Sequence, residues 1–428
     1  MSDSQTPVER LNAIVEQGLC IGCGLCQSVA GRDRVRVTKT LNGYLTPVIE
    51  AELDHETVDR IYAVCPGTRV EGLPERLIEP DTRHDNVWGP WRRMVRAWAG
   101  DPEVRFEGST GGVLTALGIY LLESKRVDFI LHVKTSAYEP SFGDRTLSFT
   151  EADVIEAAGS RYGPAAPLID IGEVLDRNQS FAFIGKPCDV SALRNYARLD
   201  ERVDQQVKYW LTLVCGGYGT PRGTIEFYKR MGIDPDKVTA LRYRGRGCPG
   251  PTRVESGDRV QEFHYIDYWG EDETSWQLPF RCKICPDAIG EAADIAALDT
   301  WIGGSPTREG SVDDPGINAI IARTQAGEAL IAAAAAAGAL TLEYDIVPDT
   351  VSVYQPHQVN KKYAAWARHQ GLRDAGRIVP QTERLRIAEL AQELPDEANQ
   401  FQREGTRKRI EIGKATEPTP EPASHSTA

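Results

Sequence analysis

The sequence predicts a mixed α/β (α+β) protein, and three observations carry that expectation. Short β-branched and apolar runs alternate with helical stretches through the middle of the chain, the pattern of a mixed or parallel sheet covered on its faces. The 428 residues are too many for one ordinary core and suit two or three lobes. With 41% hydrophobic and 26% charged residues, the composition is that of a globular protein with room for a buried site.

Taken in order, residues 1–14 are polar, lack the apolar core of a secretion signal, and read as a flexible N-terminus. Residues 15–75 hold four cysteines among turn-rich pieces, with a turn at 43–47 leading into a strand. Residues 76–104 read as a connection containing Trp88, Trp91 and Trp98. A first part of the core follows at 105–150: a glycine turn opens a helix over 113–124, and 127–134 is a strand. The main core spans 151–345. It carries helices near 169–176, 189–198 and 222–231, strands over 181–184 and 209–214, a loop-built stretch at 240–310, and a helix over 317–338. Residues 346–412 form a helical C-terminal region whose helix over 383–394 stops at Pro395. The Pro-, Thr- and Glu-rich tail 413–428 is expected to be disordered.

The formal charge of −13 argues against a nucleic-acid binder, which needs a basic face to displace counterions. The apolar runs 113–122 and 330–340 are too short to span a bilayer, so a cytoplasmic chain is expected. Arg32, Arg34, Arg36 and Lys39 offer a basic dock for an acidic partner, or equally a solvated strand.

Nine cysteines in a cytoplasmic chain are free thiols, catalytic groups or metal ligands rather than disulfides. Cys20, Cys23 and Cys26, each two residues from the next, suit the corners of a 4Fe-4S cubane, and the intervening glycines let backbone amides approach sulfur. A bacterial ferredoxin would continue to Cys-Pro three residues on; here Cys65-Pro66 is the candidate fourth ligand, making 15–75 a ferredoxin-like segment. A zinc site or reduced structural thiols are the alternatives.

Five cysteines remain. Cys282 and Cys285 form a Cys-x-x-Cys pair, Cys188 precedes a helix, and Cys215 ends an apolar strand where ligands of such sheets collect. These four suit a second 4Fe-4S cluster, or Cys188 and Cys215 are buried small residues. Cys248, flanked by Gly and Pro, is left without a role.

Several motifs then recur in one order: Gly108-Ser109-Thr110-Gly111-Gly112, Ile184-Gly185-Lys186-Pro187-Cys188, Cys215-Gly216-Gly217, Cys282 to Asp287, Ala293-Asp294-Ile295 and Asp299-Thr300-Trp301. From about Cys20 to Trp301 this resembles the coenzyme F420 hydrogenase/dehydrogenase beta-subunit family, which takes in 7-hydroxymethyl chlorophyll a reductase and divinyl chlorophyllide 8-vinyl reductase relatives. The resemblance implies FAD in the α/β core, two 4Fe-4S clusters, and Cys188, Cys215, Cys282 and Cys285 as ligands of the second. The turn Gly108–Gly112 before a helix, with hydroxyls from Ser109 and Thr110, is the expected diphosphate site. Ser160, Arg161, Tyr162 and Lys186 are further flavin contacts, and Arg242 and Arg244 offer cations to an anion. His132 and His264 are proton donors or structural histidines.

The expected function is that of an iron–sulfur flavoprotein oxidoreductase. Reduced ferredoxin, or another small electron carrier, would supply electrons through the clusters to FAD for reduction of a small organic substrate. One alternative is a beta subunit exchanging electrons with the deazaflavin coenzyme or NAD(P) inside a larger hydrogenase or formate dehydrogenase complex. Another is a non-catalytic zinc-binding module.

Overall fold

The computed structural model describes residues 5–40, 42–270 and 277–415. The tail after 415, expected to be disordered, lies outside the described residues. No helix among the described residues is long and apolar enough to cross a membrane.

Eight strands form the central sheet: β1 (Arg93–Ala99), β2 (Phe129–Thr135), β3 (Gly143–Ser148), β4 (Phe181–Gly185), β5 (Val207–Leu213), β6 (Ile295–Asp299), β7 (Asn318–Ala322) and β8 (Leu340–Asp345). Their order across the sheet is β8-β1-β7-β6-β5-β4-β2-β3. Four adjacent strands, β6-β5-β4-β2, are parallel, and every other pairing in this sheet is antiparallel.

Side chains alternate across this sheet with period two. Ile130, Ala182, Leu211, Ile295, Ala297 and Ile320 pack on one face with the helices Val113–Glu123 and Gln325–Ala336. Phe129, Leu131, Phe181, Phe183 and Trp210 point to the other face, into a core shared with the cysteine-bearing N-terminal segment. Ala296, Leu298, Ala319 and Ile321 continue that face under the C-terminal helices. The parallel strands are thus covered by apolar side chains on both faces, as parallel pairing requires.

Several elements depart from the sequence expectation. The N-terminal residues form a helix, Pro7–Glu16, where a flexible segment was expected. Thr6 and Glu9 make a capping box there and Pro7 occupies the first turn. Residues 93–99, expected in a connection, are β1 in the interior of the sheet. The expected helix over 317–338 divides into β7 and the helix Gln325–Ala336. Asn318–Ala322 is buried throughout and pairs on both sides, so strand pairing overrides local preference. Thr324 then accepts the Gly327 N–H at 3.1 Å and starts the helix. The stretch expected as loops holds an antiparallel sheet of Val238–Arg242, Thr252–Ser256 and Arg259–Phe263. The expected helix over 383–394 shortens to Ile387–Gln392, because Gln381–Glu383 pairs in parallel with Arg69–Glu71.

The C-terminal helix Pro356–Asp374 is fastened to the sheet by buried charge. Glu291 is fully buried and accepts from both Lys362 and Arg386. Lys362, itself 2% exposed, also donates to the Pro286 carbonyl at 3.1 Å. Removing one partner of such a pair strands the other, at about 3–5 kcal/mol. Lys362→Met is therefore expected to lower the denaturant midpoint by a corresponding amount. Lys362→Met with Glu291→Gln should cost less than the sum of the single substitutions.

Candidate functional site

Ten of the residues singled out in the sequence, six contacts and four thiols, gather at or beside the carboxyl edge of the parallel strands. A crevice of about 260 Å³ opens there. Its wall is built by Ile184 to Lys186 at the end of and just after β4, Val214 to Gly217 after β5, Asp299 and Trp301 at and after β6, and Asn318 at the start of β7. Sheets of this kind collect ligands at this edge.

Ser109, Gly112, Ser160, Arg161, Tyr162 and Lys186 line the crevice, whereas Gly108, Thr110 and Gly111 stand behind it. The glycine turn is spoken for internally. The Gly111 and Val113 amides donate to Asn318 Oδ1 at 3.0 and 3.4 Å, and Ser109 Oγ accepts from Ser160 N at 2.8 Å. Thr110 donates to Asp299 and accepts from Arg244. A Cβ at Gly111 would meet Asn318 at 2.8 Å, so close packing by itself demands glycine there.

Arg161 is the crevice's unspent cation. Its Nε and Nη1 are buried with no hydrogen-bond partner, and Nη2 reaches only the Ala158 carbonyl at 3.3 Å. Burial, helped by neighbouring Arg242, pushes its pKa down to about 10. Arg244, 3% exposed, pairs with Asp299 at 2.9 Å and lies against the rings of Trp301 and Tyr265, 4.7 and 5.3 Å from their centroids. Arg242 is held by Glu107.

Aromatic rings complete the wall. Trp269 meets Tyr162 edge-on at 4.8 Å, and Tyr265 lies 5.7 Å from Trp301. Tyr265, Trp269, Asn318 and His357 were missed in the sequence, because each lies in a segment with no chemical motif; only the sheet edge brings them together. His132 lines the crevice, bonded to Ser148 at 2.7 Å, while His264 accepts the Ile266 N–H and caps a helix.

The thiols fall into two sets. Cys20, Cys23, Cys26 and Cys65 line one small cavity, and Cys188, Cys215, Cys282 and Cys285 line another. They hold about 20 and 30 Å³, each more than the ~10–15 Å³ a single water needs. The Gly22 and Gly67 amides point at Cys20 and Cys65 Sγ, both at 3.4 Å. Among the described residues no set of three or more His, Cys, Asp or Glu closes on one point as a lone metal ion would require. Burial raises the Cys23, Cys26 and Cys188 thiols far above their ordinary value and Cys215 to about 12, so ligation would release protons. Cys248 lines neither cavity; its thiol donates to Asp314 at 3.3 Å.

The cavities lie in series. Ile21 borders both thiol cavities, and Lys186, Cys215, Gly217 and Tyr218 border both the second cavity and the crevice. Lys186 is ion-paired with Asp189 at 2.6 Å; burial opposes its charge, but the carboxylate and nearby sulfurs prevail and raise its pKa.

A mixed α/β sheet with an open crevice at the carboxyl edge of its parallel strands, flanked by two cavities of four thiols each, defines the class: a cysteine-rich α/β protein. The chain belongs to the coenzyme F420 hydrogenase/dehydrogenase beta-subunit family: residues 94–171 match its N-terminal model and 178–345 its C-terminal model. It is 24% identical over 341 residues to the coenzyme F420-dependent sulfite reductase of Methanocaldococcus jannaschii, covering 74% of this chain and 46% of that one. It is 26% identical over 209 residues to the F420-dependent formate dehydrogenase 1 subunit beta of Methanococcus maripaludis, covering 48% and 51%. Thus it spans about half the length of those two relatives. With the coenzyme F420 hydrogenase subunit beta of Methanococcus voltae it shares 24% identity over 293 residues, 64% of this chain and 92% of that subunit. The fold is similar to a chain of the F420-reducing NiFe hydrogenase complex from Methanosarcina barkeri, with a TM-score of 0.51 and 20% identity over 65% of this chain and 92% of that one.

His132, His357 and His369 are each pushed from 6.5 down to about 4, chiefly by burial. Native imidazoles therefore stay neutral where the unfolded chain takes up protons. Their stabilising contribution is full above pH 6.5 and is lost as pH falls toward 4. The denaturant midpoint should drop between pH 7.5 and 5, and His132→Gln should flatten that dependence; an unchanged slope would contradict it.

Proposed function

We propose that this chain is the deazaflavin- or nicotinamide-facing redox subunit of a larger hydrogenase- or dehydrogenase-type assembly, carrying two 4Fe-4S clusters and FAD. The observation that carries the reading is the series of three cavities, two walled by four thiols each and the third an open crevice with an uncommitted cation. Relatives named as beta subunits of F420-dependent formate dehydrogenase and F420 hydrogenase support it.

The residues fit these groups. Four sulfur donors around a void wider than one water suit a sulfur-bridged cluster. The orphaned guanidinium nitrogens of Arg161 suit a phosphate, and the Tyr162, Tyr265, Trp269 and Trp301 rings suit a planar heterocycle. Clusters would supply single-electron transfer, and a flavin would exchange electrons in pairs. The chain's own part is to hold those groups. Cys20, Cys23, Cys26 and Cys65 would ligate the first cluster and Cys188, Cys215, Cys282 and Cys285 the second. Lys186 would keep a positive charge between the second cluster and the crevice.

Supply by ferredoxin to an organic substrate has less support. The cations that suggested an acidic dock are each ion-paired: Arg32 with Asp170, Arg34 with Asp54, Arg36 with Glu50 and Lys39 with Glu139. Such pairing favours the solvated-strand reading over a dock.

Anaerobic reconstitution should give about eight iron and eight sulfide per chain with one flavin. Cys282→Ser should lose about half the iron, and Arg161→Ala should weaken flavin retention at least tenfold. Reduced deazaflavin coenzyme should reduce the loaded chain. A chain that takes up neither iron nor flavin would overturn the proposal.

A further inference from the structure

The two thiol cavities are joined by one buried side chain. Arg281 immediately precedes Cys282, is 1% exposed, and donates through Nε and Nη2 to the Pro66 carbonyl at 2.9 and 2.7 Å. Pro66 immediately follows Cys65. One guanidinium therefore spans from the second thiol set to the first, across 215 residues of sequence. We propose that Arg281 is a positioning residue that fixes the two cysteine quartets against each other and supplies a permanent positive charge favouring electron uptake by the centres they hold. This rests on the cluster reading above and deepens it.

The argument is one of charge balance. A guanidinium removed from water needs a compensating anion, and among the described residues no carboxylate pairs with Arg281. The groups around it are sulfur: Cys188, Cys282 and Cys285 line the same cavity, and Cys65 immediately precedes the proline whose carbonyl it grips. Neutral thiols would leave the cation uncompensated, whereas ligated thiolates around an iron core supply the counter-charge. A cation fixed there stabilises each added electron and screens the repulsion between two anionic centres. A tie meant only to join two loops would need a donor but no charge.

The test uses the full reconstituted chain and two variants. Arg281→Gln keeps a hydrogen-bond donor and removes the charge; Arg281→Lys keeps the charge. Anaerobic redox titration followed by electron paramagnetic resonance reads both centres. In Arg281→Gln the reduction equilibrium of at least one centre should move tenfold or more toward the oxidised state, 59 mV for a one-electron couple. Arg281→Lys should stay within about threefold of the native chain. Loss of iron from Arg281→Gln, with Arg281→Lys loaded at native potentials, would equally support a charge requirement. Native potentials in a fully loaded Arg281→Gln would overturn the proposal, as would equal loss of iron from both variants. A native chain that binds no iron would instead overturn the cluster reading, and is distinguished at the first measurement.

Discussion

A fully buried carboxylate governs how this molecule closes. Glu291 sits in the turn between the Cys282–Cys285 pair and β6, with no access to water, and has to be neutralised by cations brought from the C-terminal region. Lys362 and Arg386 meet that need, and Lys362 also grips the Pro286 carbonyl beside Cys285. Asp287, buried next to them, receives the Ile289 and Glu291 amides. The loop carrying two thiols is thus held from three sides before anything binds there. The C-terminal helices, which carry no recognisable motif, set the geometry of a motif far earlier in the chain.

The local part of the thiol pattern was legible in the sequence because its spacing is short. The three cysteines two residues apart, the Cys-x-x-Cys pair and the Lys186-Pro187-Cys188 helix start depend on neighbours within one turn. The structure gathers all eight thiols into two sets of four, and Cys248 stands apart. The fold class was equally open to reading, since strands and helices alternate where β4, β5 and their helices stand. Long-range pairing was what remained hidden. Arg93–Ala99 is a strand only because β7 and β8 flank it, and Asn318–Ala322 is one only because β1 and β6 do. The crevice's aromatic wall was hidden for the same reason: Tyr265 and Trp269 occupy a segment between domain-scale elements, and only tertiary contact gives them a shared surface.

Charge follows the same division between surface and interior. Outside, Arg10, Arg32, Arg34, Arg36 and Lys39 of the N-terminal segment each find an acidic neighbour. Inside, two cations stand between compartments and a third backs the crevice. Arg281 stands between the thiol sets, Lys186 between the second set and the crevice, and Arg244 behind the crevice against Trp301. Each is held by hydrogen bonds whose geometry does not depend on solvent.

The shared wall at Ile21 has a consequence of its own. A single branched hydrocarbon, 5% exposed, is common to both sulfur-lined chambers. With no dipole to reorient, such a side chain would add little to the nuclear rearrangement accompanying any charge movement between centres held in the two chambers. Shortening it would fuse two compartments that the rest of the architecture keeps distinct.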